Sequence, residues 1–168
     1  MVDWYTEARN AKETLERARV MCTAEIYPEA VQNAIVSGEL HLKAMLRKRG
    51  IFRESGHCHD KHHNMSRLWD RVKRNCGLSA TTIAALDDVF IKRGYGKGTL
   101  QYIDRTAPDY SHADCPHLPS TRYSTDTATP EDFYDRSYAL EKISLAEIVE
   151  RELNPYLRAR QGVANKNG

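Results

Sequence analysis

The stretch that decides the fold is PEAVQNAIVSGELHLKAMLRKRG, residues 28–50. Pro28 suits the first turn of a helix, where its missing N–H would have no intrahelical partner. Gly50 is a helix stop, and the basic side chains before it favour the negative end of the helix dipole. Ala34 and Gly38 are small, which lets another helix approach closely. The apolar side of the predicted helix is formed by Val31, Ile35, Leu42, Met45 and Leu46.

Similar helix signals continue on both sides of this stretch. Asp3 can cap a first helix that runs to about Glu25. A third helix is predicted from near His59 to Gly77, and a short fourth helix opens at Ser79 or Thr81. The buried face of the first helix is predicted from three- and four-residue steps to comprise Trp4, Ala8, Ala11, Leu15, Ala18 and Cys22.

The last helix has the strongest start signal in the chain. Thr129 is a candidate N-cap, Pro130 follows at the first helical position, and Pro155 ends or kinks the helix. Between residues 93 and 129 lies an irregular loop rich in Gly, Pro, Ser, Thr and Asp. No alternating apolar pattern demands a sheet. The chain is therefore expected to be one all-α domain over residues 1–168, an up-and-down antiparallel bundle of four to five helices with a frayed tail from about residue 161.

The composition excludes some classes of protein. Hydrophobic residues make up 40% and charged residues 29% of the 168 residues, which favours a soluble globular chain. A net charge of +2 is too balanced to predict nucleic-acid binding from electrostatics alone. No apolar run approaches the roughly 20 residues that span a bilayer, and the polar N-terminus is not typical of a signal peptide, so a cytoplasmic protein is expected. The cysteines lack a CxxC motif and are expected to be thiols.

Five segments together resemble the HEPN domain. They are ARNAKETLERA in the first helix, HLKAMLRKRG in the second, GHCHDKHHNMSRLW at the start of the third, the pair Arg122-Tyr123, and EDFYDRSYALEKISLAEIVE in the last. The family shows a similar second helix ending in Gly, a Gly-His start to the third helix, and an Arg-Tyr-Pro motif ahead of the last. The resemblance covers roughly residues 4–160, apart from the long loop.

The resemblance implies a dimeric all-α domain that is often encoded beside a minimal nucleotidyltransferase. Members of the family act as nucleotide-binding partners, or as metal-independent ribonucleases in toxin–antitoxin and phage-defence systems. The ribonucleases carry an Arg, then roughly four to six other residues, then a His, near the start of the last helix. The His serves as general acid or base, and the Arg stabilises phosphate charge.

This sequence departs from that ribonuclease pattern. Arg122 is followed by YSTDTATP and Arg93 by GYGKGTLQ, both without His. The pair Arg53 and His59, separated by ESGHC, does fit the spacing, but it lies between the second and third helices. The resemblance therefore argues for the fold and against the usual active site.

The histidine-rich segment GHCHDKHHNMSRLWDRV, residues 56–72, leaves four interpretations open. In the first it is the polar start of a helix, capped by Ser55 or Asp60. In the second it is a zinc site, because His59 and His63 share one helix face and the long loop offers two further ligands in DCPH. The residues of that metal site would be His59, His63, Cys115 and His117.

The third interpretation is ribonuclease chemistry with Arg53 and His59 as the catalytic pair. The fourth is phosphate or nucleotide binding, since a helix N-terminus and many basic residues lie together. The flanking basic residues are Arg47, Lys48, Arg49, Arg53, Lys61, Arg67, Arg71, Lys73 and Arg74.

Taken together, the sequence predicts a HEPN-like component of a prokaryotic toxin–antitoxin or defence system that associates with nucleotide or RNA. His57, Arg122 and Tyr123 are the expected substrate-binding residues beside Arg53 and His59. The expected partners are a second copy of the chain and a nucleotidyltransferase, with no membrane. The alternatives are a ribonuclease with a displaced Arg/His pair, and a non-enzymatic interaction module that docks a protein through its long loop and can hold structural zinc.

Overall fold

The computed structural model describes residues 3–51, 65–95 and 134–158. All regular structure in these ranges is helical, which confirms the predicted all-α bundle. The elements are α1 (Trp4–Thr23), α2 (Tyr27–Lys48), α3 (Met65–Asn75), α4 (Ala80–Asp87), a π-helical segment (Asp88–Lys92) and α5 (Arg136–Arg158).

Helix α2 is the centre of the bundle, because it packs against α1, α3 and α5. Its predicted apolar side is buried throughout, but burial extends well beyond that side. A helix enclosed by neighbours in several directions must bury much of its circumference, so the prediction of a single apolar side was too narrow. The polar residues of α2 that are also buried are Ser37, Glu39, His41 and Lys43.

The first two helices end in the same backbone motif. After α1 the N–H of Ile26 bonds to the carbonyl of Met21 at 2.9 Å, and Glu25 takes a left-handed φ of +62°. After α2 the N–H of Ile51 bonds to the carbonyl of Leu46 at 3.0 Å, and Gly50 has a φ of +68°. This is the Schellman motif. The stop at Gly50 was predicted, whereas α1 ends at Thr23 rather than at about Glu25.

Two predicted N-caps are confirmed. The carboxylate of Asp3 accepts the N–H of Thr6 at 2.7 Å and begins α1. The hydroxyl of Ser79 accepts the N–H of Thr82 at 3.1 Å and begins α4, so Ser79 rather than Thr81 is the cap. Short polar side chains of this kind satisfy the N–H groups that a helix start leaves unpaired.

The start of α5 differs from its prediction. Tyr134 and Asp135 are not helical, and the Asp135 carboxylate accepts the N–H of Tyr138 at 2.8 Å, so the helix begins at Arg136. The predicted cap at Thr129 and Pro130 lies outside the described residues, as do the predicted start of the third helix near residue 59 and the tail from residue 161.

Pro155 does not end α5. The helix continues through it to Arg158, three residues later. Lys48 of α2 donates from its Nζ to the carbonyls of Tyr156 and Leu157, at 2.7 and 3.2 Å. These bonds satisfy carbonyls at the helix end that have no intrahelical partner, and a cation also suits that end of the helix dipole.

Gly38 packs against the ring of Tyr95 and not against another helix. A methyl group at Gly38 would lie 2.8 Å from the Tyr95 Oη, closer than real contacts allow. The Tyr95 hydroxyl donates to the carbonyl of Ala34, and its side chain is fully enclosed. Residues 93–95 are not helical, as predicted for the start of the irregular loop, and residues 96–129 lie outside the described ranges.

The π-helical segment leads the chain from α4 to Tyr95. Within it Val89 and Phe90 are buried. The Phe90 ring stacks on Trp69 of α3 at 5.4 Å between centroids, and it meets Tyr95 edge-on at 5.7 Å. The three aromatic rings therefore join α3, the π-helical segment and α2 into one core.

Two other expectations concern cysteines and membranes. Cys22 and Cys76 are buried free thiols, as predicted, while Cys58 and Cys115 lie outside the described residues. In the parts of the chain that the structure describes, none of the helices has the length and apolar character needed to cross a membrane.

Replacing Gly38 by Ala tests the close contact with Tyr95. At a solvent-exposed position inside a helix, Gly→Ala stabilises the protein by about 1 kcal/mol, because Ala has the higher helix propensity. Here we expect the opposite sign, a loss of about 1–3 kcal/mol, because the added methyl group overpacks the core. Urea unfolding at equilibrium measures the free energy of unfolding of both proteins.

A double-mutant cycle with Tyr95→Leu provides the control for this prediction. With the ring removed, Gly38→Ala should cost little or should stabilise, because the atoms it met are gone. A cost for Gly38→Ala that is the same with and without the ring would contradict the assigned contact.

Candidate functional site

The predicted catalytic, substrate-binding and zinc-binding residues all lie outside the described ranges, so their roles stay predictions. Within residues 3–51, 65–95 and 134–158, no three His, Cys, Asp or Glu residues are grouped to hold a metal ion. The residues outside are Arg53, His57, His59 and His63 in the segment 52–64, and Cys115, His117, Arg122 and Tyr123 in the segment 96–133.

Several of the basic residues predicted to bind phosphate have structural partners instead. Arg47 forms a buried ion pair with Glu7 of α1. Lys48 binds the end of α5, and Arg49 donates to the carbonyl of Cys76 at 2.8 Å. Lys73 pairs with Asp87 at 3.0 Å. Some of the basic residues that flank the histidine-rich segment therefore hold the helices together.

Buried polar contacts connect α1 to α2. The Ser37 hydroxyl donates to the carbonyl of Ala11 at 2.7 Å, and the buried Glu7–Arg47 ion pair lies nearer the start of α1. Buried polar groups need such partners, because each one left unpaired costs about 1–3 kcal/mol. The contacts fix the position of α1 along α2 and so shape the space between α1, α2 and α5.

His41 belongs to the same buried region and has a defined tautomer. Its Nδ1 lies 2.9 Å from the carbonyl oxygen of Ser37, which can only accept, so Nδ1 carries the proton. Nε2 is therefore an acceptor, and it has no hydrogen-bond partner among the described residues. The side chain is 1% exposed. An unsatisfied acceptor this deeply buried is rare and invites a functional explanation.

Burial also decides the charge of His41. It lowers the pKa of the imidazole, and this effect outweighs the hydrogen bond to Ser37 and the charge of Glu150, which both raise it. The nearby charge of Lys12 lowers the pKa further. The ring is neutral at pH 7, and Nε2 is available to accept a hydrogen bond.

His41 lines a cavity of about 740 Å³ between the start of α1, the middle of α2 and the end of α5. We call it the His41 cavity. Pockets that bind small molecules fall in the range of roughly 300–1,000 Å³, so a ligand of that size can enter. The lining residues are Asp3, Trp4, Tyr5, Ala8, Arg9, Lys12, His41, Asn154, Leu157 and Arg158.

The His41 cavity is positively charged. Three cations and one carboxylate line it, and that carboxylate, Asp3, is engaged as the cap of α1. Lys12 pairs with Glu150 at 3.5 Å and Arg9 with Glu13 at 3.7 Å. Arg158 forms no ion pair with any described residue. The arrangement suits an anionic group at the side of the cavity formed by α5.

A second cavity of about 600 Å³ lies at the opposite end of α1 and α5. Arg19 crosses it and donates to Glu147 at 2.8 Å while also pairing with Glu16. Leu140 and Ile143 supply apolar surface there. Two cations, Arg19 and Arg136, and two carboxylates, Glu25 and Glu147, line this cavity. Its lining charges balance, so it offers less to an anion than the His41 cavity does.

Sequence reasoning assigned no role to His41. In the sequence it is distinguished only as part of the family-like segment HLKAMLRKRG, whereas the four histidines in residues 57–63 suggest a functional site. A usable signal was present, since Ser37 and His41 are one turn apart on the helix that the sequence marks as central. Their burial depends on the surrounding helices and is not visible in the pattern of α2 alone.

Comparison with known proteins gives one match. The model of the HEPN domain matches residues 4–154, a span that includes α1 to α4 and most of α5. Neither the curated proteins nor the solved structures contain a match to this chain.

Replacing His41 by Asn tests the buried neutral histidine. Because the folded pKa is lowered, the unfolded state binds the proton first as pH falls below about 6.5. His41 therefore makes stability fall with decreasing pH, by about 1.4 kcal/mol per pH unit at most. Urea unfolding at pH 7.5 and pH 5.0 should show a smaller loss for His41→Asn than for the wild type.

Asparagine is the suitable replacement because its amide N–H can still donate to the carbonyl of Ser37. The six other histidines of the chain are common to both proteins, so their contributions cancel in the comparison. An equal loss of stability in the two proteins would contradict the lowered pKa of His41.

Proposed function

This chain belongs to the HEPN domain family, and we propose that it is a nucleotide- or RNA-associated component of a prokaryotic toxin–antitoxin or defence system that lacks the family's usual ribonuclease site. One observation supports the absence of the usual ribonuclease site. No histidine follows His117 in the sequence, so neither Arg122 nor Arg136 at the start of α5 has a His after it. The Arg/His pair implied by the resemblance therefore cannot form there.

Two alternatives assign a function to the histidine-rich segment, either catalysis or zinc binding. Arg53 and His59 have the spacing of a ribonuclease pair, at a different place in the chain. His59, His63, Cys115 and His117 offer the donor atoms that structural zinc prefers, in a chain that would then act as an interaction module. A nucleotidyltransferase is the proposed protein partner, on the basis of the resemblance.

RNA cleavage by the purified protein, with and without EDTA, tests the absence of ribonuclease activity. We expect no cleavage in either condition, because no Arg/His pair lies at the start of the last helix. The experiment includes Arg53→Ala and His59→Ala, with Arg151→Ala as a matched control on the exposed side of α5.

Two results would overturn this expectation. Cleavage that survives EDTA and is lost in Arg53→Ala and His59→Ala, but not in Arg151→Ala, would establish a metal-independent ribonuclease with a displaced site. Cleavage that is lost in EDTA would instead assign a catalytic metal to the histidine-rich segment.

We further propose that the chain forms a homodimer through the end of the bundle where α1 stops and α5 starts. Exposed apolar side chains concentrate there: Val20 is 62% exposed, Leu140 is 48% exposed and Ile26 is 42% exposed. Leu140 also lines the second cavity. Apolar side chains gathered at one surface are typical of an interaction site.

The change Leu140→Asp should dissociate this dimer, because a carboxylate in an apolar interface must be desolvated without a partner. Size-exclusion chromatography with light scattering over a range of concentrations gives the molecular mass. Ile91→Asp is the matched control, since Ile91 is 53% exposed and lies in the π-helical segment. A monomeric wild type, or equal dissociation by both changes, would contradict the proposed interface.

A further inference from the structure

We propose that the His41 cavity binds a small planar ligand carrying a hydrogen-bond donor and an anionic group, the chemistry of a nucleoside monophosphate. The inference rests on the proposed nucleotide association and assigns it to one site. Three independent features of the cavity support it: a buried acceptor, an aromatic wall and a cation that has no ion pair among the described residues.

The buried acceptor is Nε2 of His41. The other ring nitrogen already donates to Ser37 in the same helix, so Nε2 lies at the far edge of the ring, away from the backbone of α2. A neutral imidazole in this tautomer can receive only a donor. The exocyclic amino group of adenine supplies an N–H of this kind, whereas a carboxylate or a phosphate oxygen does not.

The aromatic wall is formed by the first turn of α1. Trp4 and Tyr5 lie edge to face, with 6.0 Å between ring centroids and 89° between ring planes. Tyr5 is 65% exposed, and one face of Trp4 already has the Lys48 ammonium 4.5 Å from its centroid. Bases stack on such rings with little dependence on their identity, because every base has a π-face.

The cation is Arg158, in the last turn of α5. It lines the cavity without an ion pair to any described residue, whereas the two cations that α1 contributes, Arg9 and Lys12, are paired with glutamates. A guanidinium group presents paired N–H donors that match the geometry of a phosphate. A ligand held between Arg158 and His41 would therefore need its anionic and planar parts at separate ends.

Isothermal titration calorimetry of the full chain with AMP tests the inference. Adenosine and ribose 5-phosphate serve as partial probes, since each lacks one of the two recognised groups. We expect AMP to bind, and each partial probe to bind at least about ten times more weakly, because each loses a charge-assisted contact or a stacked base.

Two arginine variants locate the phosphate. Arg158→Gln should weaken AMP binding by a factor of about ten or more, because one charge-assisted contact is lost. Arg151→Gln is the matched control: Arg151 lies in the same helix, pairs with Glu152 and does not line the cavity. Its affinity for AMP should equal that of the wild type.

Two histidine variants locate the base. His41→Asn keeps the hydrogen bond to Ser37 but removes the distal acceptor, and it should weaken AMP binding by a factor of about five to ten. His41→Gln places a polar amide farther from the backbone of α2, and it should retain more of the affinity for AMP than His41→Asn does. Thermal melting shows whether both histidine variants remain folded. If they do not, the comparison of Arg158→Gln with Arg151→Gln decides whether AMP binds in the His41 cavity.

Two outcomes would overturn the inference. AMP that fails to bind the wild type at millimolar concentration would do so, as would binding that Arg158→Gln leaves unchanged. Neither outcome bears on the proposed absence of ribonuclease activity, which is judged by RNA cleavage alone. Cleavage of RNA, conversely, would overturn that proposal without changing the AMP measurements.

Discussion

The constraint on which the bundle depends is the enclosure of α2. Neighbouring helices cover it on several sides, so polar residues at its middle are buried along with the apolar ones. Each of these groups needs a partner, and breaking a buried ion pair by removing one side costs about 3–5 kcal/mol. Glu39 and Lys43 satisfy each other at 2.5 Å within the helix, while Arg47 reaches across to Glu7. The hydrophobic core brings the helices together, and these polar contacts set how α1 and α2 lie relative to each other.

The sequence predicted the fold wherever the deciding signal was local. The caps at Asp3 and Ser79 and the stop at Gly50 depend on a few neighbouring residues, and the structure has them. The sequence placed the start of the last helix too early, since Asp135 caps α5 and the predicted cap at Thr129 lies outside the described residues. Thr and Asp are both common N-cap residues, so the sequence pattern alone does not rank the two positions. The contact of Gly38 with Tyr95 was missed because it joins residues that are far apart in the chain.

The same division applies to the candidate site. A run of histidines is conspicuous in a sequence, whereas a single histidine in an amphipathic helix is not. His41 becomes notable only when α1 and α5 enclose it and leave one nitrogen without a partner among the described residues. A fold hosts chemistry through particular residues, so membership of the HEPN family gives the bundle and leaves the site to be argued separately. The His41 cavity lies at the end of α5, far along that helix from the start where the family's ribonuclease pair is expected.

The π-helical segment constrains how the sequence can evolve. A π-turn holds one residue more than the α-turn it replaces. Deleting one residue from Asp88–Lys92 would allow α4 to continue as a regular helix, but every later residue would rotate by roughly 100° about its axis. Tyr95 would then leave its place beside Gly38, and the glycine would destabilise α2 without making room for an aromatic ring. The extra residue and the glycine are useful only together, so relatives of this chain should have gained or lost them as a pair.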